Sequence, residues 1–251
     1  MGCPPAHTCR FYRSIYPVDI FCGVNMFERL ELIVGKDNLK KIKSKKVLVI
    51  GLGGVGGILC EALVRNGVEN IVIIDNDKVD ITNKNRQIIA LDSTLGKKKT
   101  EVLKNRLLDI NSNCNIKTID DFITKDNLDI LFENDLDYVI DACDTVETKI
   151  LLIEECIKRN INILSSMGMG KKINPYKLKI MDIRKTSYDK LAKVIRKRLR
   201  DDGINQKIMV LSSDETPIST EGNIGSYSIV TSIAGLLMAD YIIKDIIKEN
   251  D

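Results

Sequence analysis

Gly51-Leu52-Gly53-Gly54-Val55-Gly56 follows the apolar run Val47 to Ile50 and opens a stretch of helical spacing that ends at Gly67. Glycines at Gly51, Gly53, Gly54 and Gly56 allow a tight turn and let an anion approach the main chain. Free N–H groups and the dipole of the following helix then favour phosphate. Asp75 lies 24 residues beyond Gly51, at the end of a second apolar run, Ile71 to Ile74. A separation of about 20 is the one at which a carboxylate holds a ribose hydroxyl in nucleotide sites. The glycines alone also suit a tight strand–helix turn with no ligand; Asp75 shifts the balance toward a nucleotide without saying which one.

The loop Asp75-Asn76-Asp77-Lys78-Val79-Asp80-Ile81-Thr82-Asn83-Lys84-Asn85-Arg86-Gln87 carries more charge and amide than hydride transfer needs. Arg86 offers a planar fork of donors to phosphate oxygens, while Asp77, Asn83, Asn85 and Gln87 are candidates to orient ribose, phosphate or the loop itself. Lys99 starts a helix whose first turn would set its ammonium beside a polyphosphate. Asp141-Ala142-Cys143-Asp144 falls at the end of another apolar run, the edge at which α/β sheets bind ligands. A carboxylate facing a triphosphate repels it unless a cation intervenes, so Asp144 points to Mg2+. Asp141 is expected to cap the next helix, and Lys97 and Lys98 to be solvated.

Absences narrow the chemistry. The chain of 251 residues has no Trp, seven Cys and one His, His7. His7 sits in residues 1–25 with three of the cysteines. This segment differs in composition from the remainder of the chain and is read as a disordered or artefactual extension. Met1-Gly2-Cys3 faintly suits acylation, but Ala6 stands where Ser or Thr is expected. Residues 26–251 are read as one domain. That body lacks histidine, which removes Ser-His-Asp triads, Cys-His pairs and histidine general bases. Its cysteines, Cys60, Cys114, Cys143 and Cys156, form no Cys-x-x-Cys pair for zinc and suit a reducing cytoplasm. A formal charge of +3 excludes no partner. No uninterrupted apolar run is long enough for a membrane span.

The elements that must position these residues alternate along the chain. Strands are expected at Val47 to Ile50, Ile71 to Ile74, Tyr138 to Ala142 and Ile161 to Leu164. Helices are expected over Val55 to Asn66, Lys98 to Asp109 and near Val146 to Arg159. After Gly170, strands at Leu178 to Ile183 and Lys207 to Leu211 flank a basic helix, and a last helix runs from about Ile224 to Ile247. The expected class is α/β: a Rossmann-like, mostly parallel sheet covered by helices, with a C-terminal α/β elaboration.

With these motifs in view, the stretch from Arg29 to Asp144 resembles the ThiF/MoeB/ubiquitin-activating superfamily, whose members adenylate a carboxylate with ATP. The resemblance implies glycines at the phosphates, Asp75 on the ribose, Arg86 and Lys99 on the triphosphate and Asp144 on magnesium. Arg29 matches the arginine such enzymes lend across a homodimer interface to the neighbour's nucleotide; a plain surface charge is the alternative. Arg86, Lys99 and Asp144 are thereby the expected catalytic residues.

Ser165 to Pro175, the strand ending Met181-Asp182-Ile183 and the stretch Lys185 to Arg200 resemble the tRNA threonylcarbamoyladenosine dehydratase branch (TcdA/CsdL). Asn174 stands where relatives often carry Asp before Pro. The absence of a cysteine near the final helix argues against a sulfur relay, and a sulfurtransferase-like accessory partner stays open. In the basic helix, Leu191, Val194, Ile195 and Leu199 form an apolar stripe. Lys190, Lys193, Lys197 and Arg200 form another face, suited equally to a tRNA backbone or to solvent; Lys171 and Lys172 could extend it. The branch implies ATP-dependent dehydration of N6-threonylcarbamoyladenosine in tRNA through an adenylated carboxylate, releasing AMP and pyrophosphate. The rival is an adenylyltransferase that activates the C-terminus of a ubiquitin-like sulfur carrier.

Overall fold

A computed structural model describes residues 25–132, 135–219 and 224–248. The proposed extension, with His7, lies outside them apart from Asn25. Runs of β-branched and aliphatic residues form β1 (Lys46–Ile50), β2 (Asn70–Ile74) and β4 (Tyr138–Asp141), and β4 is buried along its whole length. Continuous burial is expected of parallel strands covered on both faces. β5 (Asn162–Ser166) and β7 (Met209–Ser213) continue the sheet.

Of the elements that escape the sequence reading, two bear on the sheet and its apolar cover. One is β3 (Asn115–Ile119), which alternates exposed and buried residues at the sheet edge. The other is α2 (Lys36–Ser44), which buries only Leu39 and Ile42. The strand order is β3-β2-β1-β4-β5-β7-β6, with β6 at Leu178–Asp182. Every pairing is parallel except β6 with β7. The mostly parallel α/β class and its C-terminal elaboration are therefore observed.

Helices α3 (Gly56–Arg65), α4 (Lys99–Ile110) and α8 (Ser228–Lys248) contribute to one large apolar cluster against the sheet. Leu59 and Leu63 of α3 are fully buried there, each contributing roughly 1.5–3 kcal/mol by leaving water. A second cluster joins Leu48, Ile50 and Val139 to Leu152 and Cys156 of α6 (Val146–Arg159) and to Leu128 and Leu131 of the short α5 (Leu128–Leu131). The basic helix α7 (Lys190–Asp201) packs Ala192, Ile195 and Leu199 onto Ile150 and Ile153 of α6. Val194, expected in that stripe, is 51% exposed, because Ala192 takes the inward position. Ile229 to Ala239 falls within α8, which buries Val230, Ala234 and Met238 but leaves Ile229 and Leu236 exposed on its other face, and among the described residues no helix is long and apolar enough to cross a membrane.

The chain order reverses between β1 and β4: β2 and β3 extend to one side, β5 to the other. Ile50 is in register with Asp141, so the turns after both strands diverge from a single point. That point is where open α/β sheets form their crevice.

Gly56 sits where α3 starts over this seam. A Cβ there would stand 1.8 Å from the Gly51 carbonyl oxygen, so α3 must shift to admit one. Gly56→Ala is expected to lower the unfolding free energy by about 1–3 kcal/mol, read from the urea midpoint. Gly225→Ala, where an added Cβ meets nothing within 4 Å, should change it by less than about 0.5 kcal/mol.

Candidate active site

A cleft of about 390 Å³ opens at the β1/β4 seam, within the range usual for small-ligand sites. Its floor is the glycine turn. Gly51 has φ +85°, and a Cβ there would lie 2.7 Å from the Cys143 amide nitrogen. Main-chain bonds hold this floor: Gly51 N–H donates to Ile74 O at 2.9 Å, and Ala142 N–H to Ile50 O at 2.8 Å. Gly53 and Gly54 line the cleft. An added Cβ at Gly53 would have only the Gln87 Nε2 nearby, at 3.8 Å, so the turn presents open main chain to a ligand.

Asp75 lies at the end of β2 with one oxygen turned to the glycine turn. Its Oδ2 accepts the Leu52 N–H at 2.7 Å, and its Oδ1 accepts the Asp77 N–H at 2.8 Å. The carboxylate therefore braces the turn and its own loop as well as lining the cleft. Lys99 is buried, and its Nζ stands 2.6 Å from Asp77 Oδ2 and 3.7 Å from Asp75 Oδ1. The loop fixes it from behind, since Val79 N–H donates to Lys97 O and Lys99 N–H to Asp77 O. Lys98 is paired with Asp120 at 2.8 Å rather than simply solvated.

The rest of the loop is a 3-10 turn (Ile81–Asn83) capped by Asp80, whose carboxylate accepts the Thr82 N–H at 2.8 Å. These bonds hold the exposed Asp80 carboxyl below its ordinary range, the Thr82 hydroxyl first and its N–H next. Asn83, Arg86 and Gln87 reach the cleft wall. Arg86 spends one nitrogen on Thr82 O and Asn85 Oδ1, both at 2.9 Å, which aims the guanidinium. Gln87 is buried, and its Oε1 has no partner among the described residues. A buried acceptor without a donor favours a ligand that brings one.

Asn85 does not line the cleft; it donates to Ser226 O at 3.1 Å, tying the loop to the approach to α8. Gly56 is likewise not part of the cleft wall and serves the packing of α3. Arg29 is exposed on α1 (Glu28–Val34), also away from the wall.

Asp141 does not cap α6. It is fully buried, with Oδ2 2.8 Å from the equally buried Lys149 Nζ and 2.5 Å from Ser165 Oγ. Lys149 also donates to Ser165 Oγ and Ser166 O, so all three of its protons are used. The other Asp141 oxygen accepts the Cys143 N–H at 3.1 Å. This network shapes the turn that leaves Asp144 exposed on the cleft wall, with no ion pair among the described residues.

Sequence reasoning missed two parts of the wall. Asp121, Phe122 and Ile123, the loop after β3, close one side; β3 carries too little apolar pattern to announce its loop. Thr145, Thr148 and Thr231 add hydroxyls, and lone threonines carry no motif. All four described cysteines are at least partly buried. Burial pushes their thiols above the ordinary range, Cys114 to about 11 and Cys156 to about 12. For Cys143 the nearby Asp141 carboxylate adds to burial. None is poised as a nucleophile.

Replacing Lys149 strands the Asp141 charge in the core. Lys149→Met should cost about 3–5 kcal/mol in chemical denaturation. A Lys149→Met/Asp141→Leu double variant should recover most of that, yet bind nucleotide weakly because the Cys143 N–H loses its anchor.

Residues 27–251 match the ThiF family. The chain is 41% identical over 244 residues to the tRNA threonylcarbamoyladenosine dehydratase of Bacillus subtilis strain 168, spanning 90% of this chain and 96% of that protein. It also resembles the crystal structure of Escherichia coli tRNA N6-threonylcarbamoyladenosine dehydratase, TcdA, in complex with ATP. There the TM-score is 0.84 at 33% identity, covering 88% of this chain and 93% of the other. The Escherichia coli MccB structure with ATP, at 22% identity and TM-score 0.64 over 90% of this chain and 65% of that one, shares the fold. The glycine turn, the Asp75–Gln87 loop, Lys99 and Asp144 meet at one cleft, and the match spans every described element from α1 onward: the chain belongs to the ThiF family.

Proposed function

We propose that this protein is an ATP-dependent dehydratase acting on N6-threonylcarbamoyladenosine in tRNA. The observation that carries the reading is the convergence of Gly53, Gly54, Arg86, Lys99 and Asp144 on one cleft. The near full-length likeness to a dehydratase, and to a dehydratase structure holding ATP, supports it. Gly53, Gly54, Arg86 and Lys99 would hold the triphosphate, and Asp75 and Gln87 the ribose. Phe122 and Ile123 would offer the adenine an apolar wall. A threonyl carboxylate oxygen attacks the α-phosphorus and pyrophosphate leaves. The carbamoyl group then attacks the activated carbonyl, closing a ring, and the oxygen lost from the carboxylate departs in AMP. Both reacting groups belong to one modified base, so proximity supplies much of the second step.

Electrostatics argue for a cation and a further arginine. Asp75, Asp77, Asp121 and Asp144 line the cleft against two cations, Arg86 and Lys99. A triphosphate added to this set needs more positive charge. Among the described residues no cluster of three carboxylate, Cys or His groups can hold a metal alone. A cation at Asp144 would therefore complete its shell with phosphate oxygens and water, as Mg2+ does, and would neutralise charge on the departing pyrophosphate. Arg29 supplies the second charge from a neighbouring copy. Helix α1 buries no residue of its own and leaves Leu32 and Ile33 each 84% exposed, an apolar face suited to a homodimer contact. The sulfur-carrier reading has less support, because the relatives matched over nearly the whole chain are dehydratases.

Incubation with ATP, Mg2+ and tRNA carrying the modification, followed by nucleoside mass spectrometry, should show loss of one water. An unchanged mass with verified substrate sinks the reading. Asp144→Asn should lower turnover by on the order of a hundredfold or more while leaving the unfolding midpoint in place. Arg29→Ala and Asp144→Asn proteins, each impaired alone, should regain about a quarter of wild-type activity when mixed and re-equilibrated, since each mixed dimer holds one intact site. Absence of rescue would show that Arg29 does not act across a dimer.

A further inference from the structure

Among the described residues three non-glycines have positive φ: Asn160, Lys171 (59°) and Tyr188 (55°). Asn160 ends α6 as a left-handed cap, an ordinary role for asparagine. Lys171 and Tyr188 are bulkier, and both lie on the carboxyl edge of β5 and β7. Left-handed backbone at such residues persists only where the surroundings over-determine it.

The surroundings here are explicit. The buried Lys172 donates to Glu215 O and, at 3.5 Å, to Tyr188 O. Asp189 accepts from Gly168 N–H and, as the cap of α7, from Ala192 N–H, each at 3.0 Å. Asp214 joins the turn of Tyr176 to that of Tyr188: its N–H donates to Lys177 O at 3.1 Å and its Oδ1 accepts from Ser187 Oγ at 3.4 Å. These bonds hold Tyr176, 93% exposed, and Tyr188, 61% exposed, on the surface. The nearby acids are spent internally, Asp214 on Lys179 at 2.5 Å and Glu215 on the Ile173 and Asn174 N–H groups.

Charge and continuity single out the occupant. From Arg184 to Arg200 the chain carries eight Lys and Arg against one carboxylate, the buried Asp189. Lys185, Lys190, Lys193 and Lys197 are exposed and hold no ion pair among the described residues. The edge is also continuous with the cleft. Lys171 N–H donates to Gly225 O, the next residue, Ser226, accepts from Asn85, and Thr231 of α8 lines the cleft.

We propose that Tyr176 and Tyr188 are a stacking platform for unpaired bases of an RNA loop, with the free lysines of the Arg184–Arg200 stretch on its phosphates, delivering the RNA strand to the cleft. Aromatic faces select unstacked bases over duplex, and lysines supply the backbone term. The proposal rests on the dehydratase reading for its substrate but is tested by binding alone.

Fluorescence anisotropy is measured with a hairpin RNA bearing an unpaired loop and with a blunt duplex of the same stem, alongside ATP affinity and melting temperature. Tyr176→Ala and Tyr188→Gly should each weaken hairpin binding by on the order of tenfold, with duplex binding and ATP affinity unchanged. Tyr188→Gly should not lower the melting temperature, because glycine adopts this φ freely, and Tyr188→Phe should bind as wild type. Lys193→Ala/Lys197→Ala should weaken both RNAs and flatten the salt dependence by about 0.7–0.9 for each phosphate no longer neutralised. Unchanged hairpin binding in the tyrosine variants, equal loss on both RNAs, or displacement of hairpin by polyglutamate as readily as by RNA would overturn the platform. A wild-type protein that binds hairpin through the tyrosines yet removes no water from modified tRNA would refute the dehydratase reading alone. Water loss with an unchanged KM in the tyrosine variants would refute the platform alone.

Discussion

The side-by-side pairing of β1 and β4 is the constraint from which the site arises. Chain order reverses between these strands, so the turns that leave them are not covered by a crossover helix and part around an open crevice. The register brings Ile50 opposite Asp141, which forces the glycine turn and the Ala142–Asp144 turn into contact. Gly51 must be glycine for two reasons at once: its φ is positive, and the Cys143 main chain occupies the space of a side chain. The turn proposed to bind an anion and the carboxylate proposed to meet the metal are in this sense one packing solution.

That solution is held by a buried ion pair. Lys149 and Asp141 are both fully buried, and such a pair does not by itself add much stability relative to an apolar replacement. What it does is fix geometry. Each proton of Lys149 and each oxygen of Asp141 is engaged, and the engaged groups belong to α6, the end of β4, the end of β5 and the turn toward Asp144. A fully satisfied polar network in a low-dielectric setting tolerates few alternative arrangements. Lys99 shows the same logic on the cleft wall: the Asp77 and Asp75 carboxylates balance its buried charge, so the ammonium proposed to meet a polyphosphate is already in place.

Much of this was legible along the chain because the site is built from strand ends. Apolar runs mark β1, β2 and β4, and the residues just after them, Gly51, Asp75 and Asp144, are necessarily at the sheet's carboxyl edge. Arg86, Gln87, Asn83 and Lys99 follow from the polar loop between them. Other residues were less readable. Asn85 and Gly56 sit in the same motifs but face away from the cleft, one bound to Ser226 and the other to the α3 packing. The Asp121–Ile123 wall depends on β3, whose mixed pattern looks like loop. Lys149 reads as one more helix lysine until the fold removes it from water.

The sequence by itself determined the class of fold and the class of chemistry, since hydrophobic period sets the elements and a histidine-free body leaves the chemistry to Lys, Arg, carboxylates and main-chain groups. Only the tertiary structure decided which polar groups are spent on one another and which are left for a ligand. Asp141 and Asp144 stand three residues apart, yet one is buried on a lysine and the other is open to the cleft. Their difference comes from burial and from partners distant in sequence, which no local spacing records.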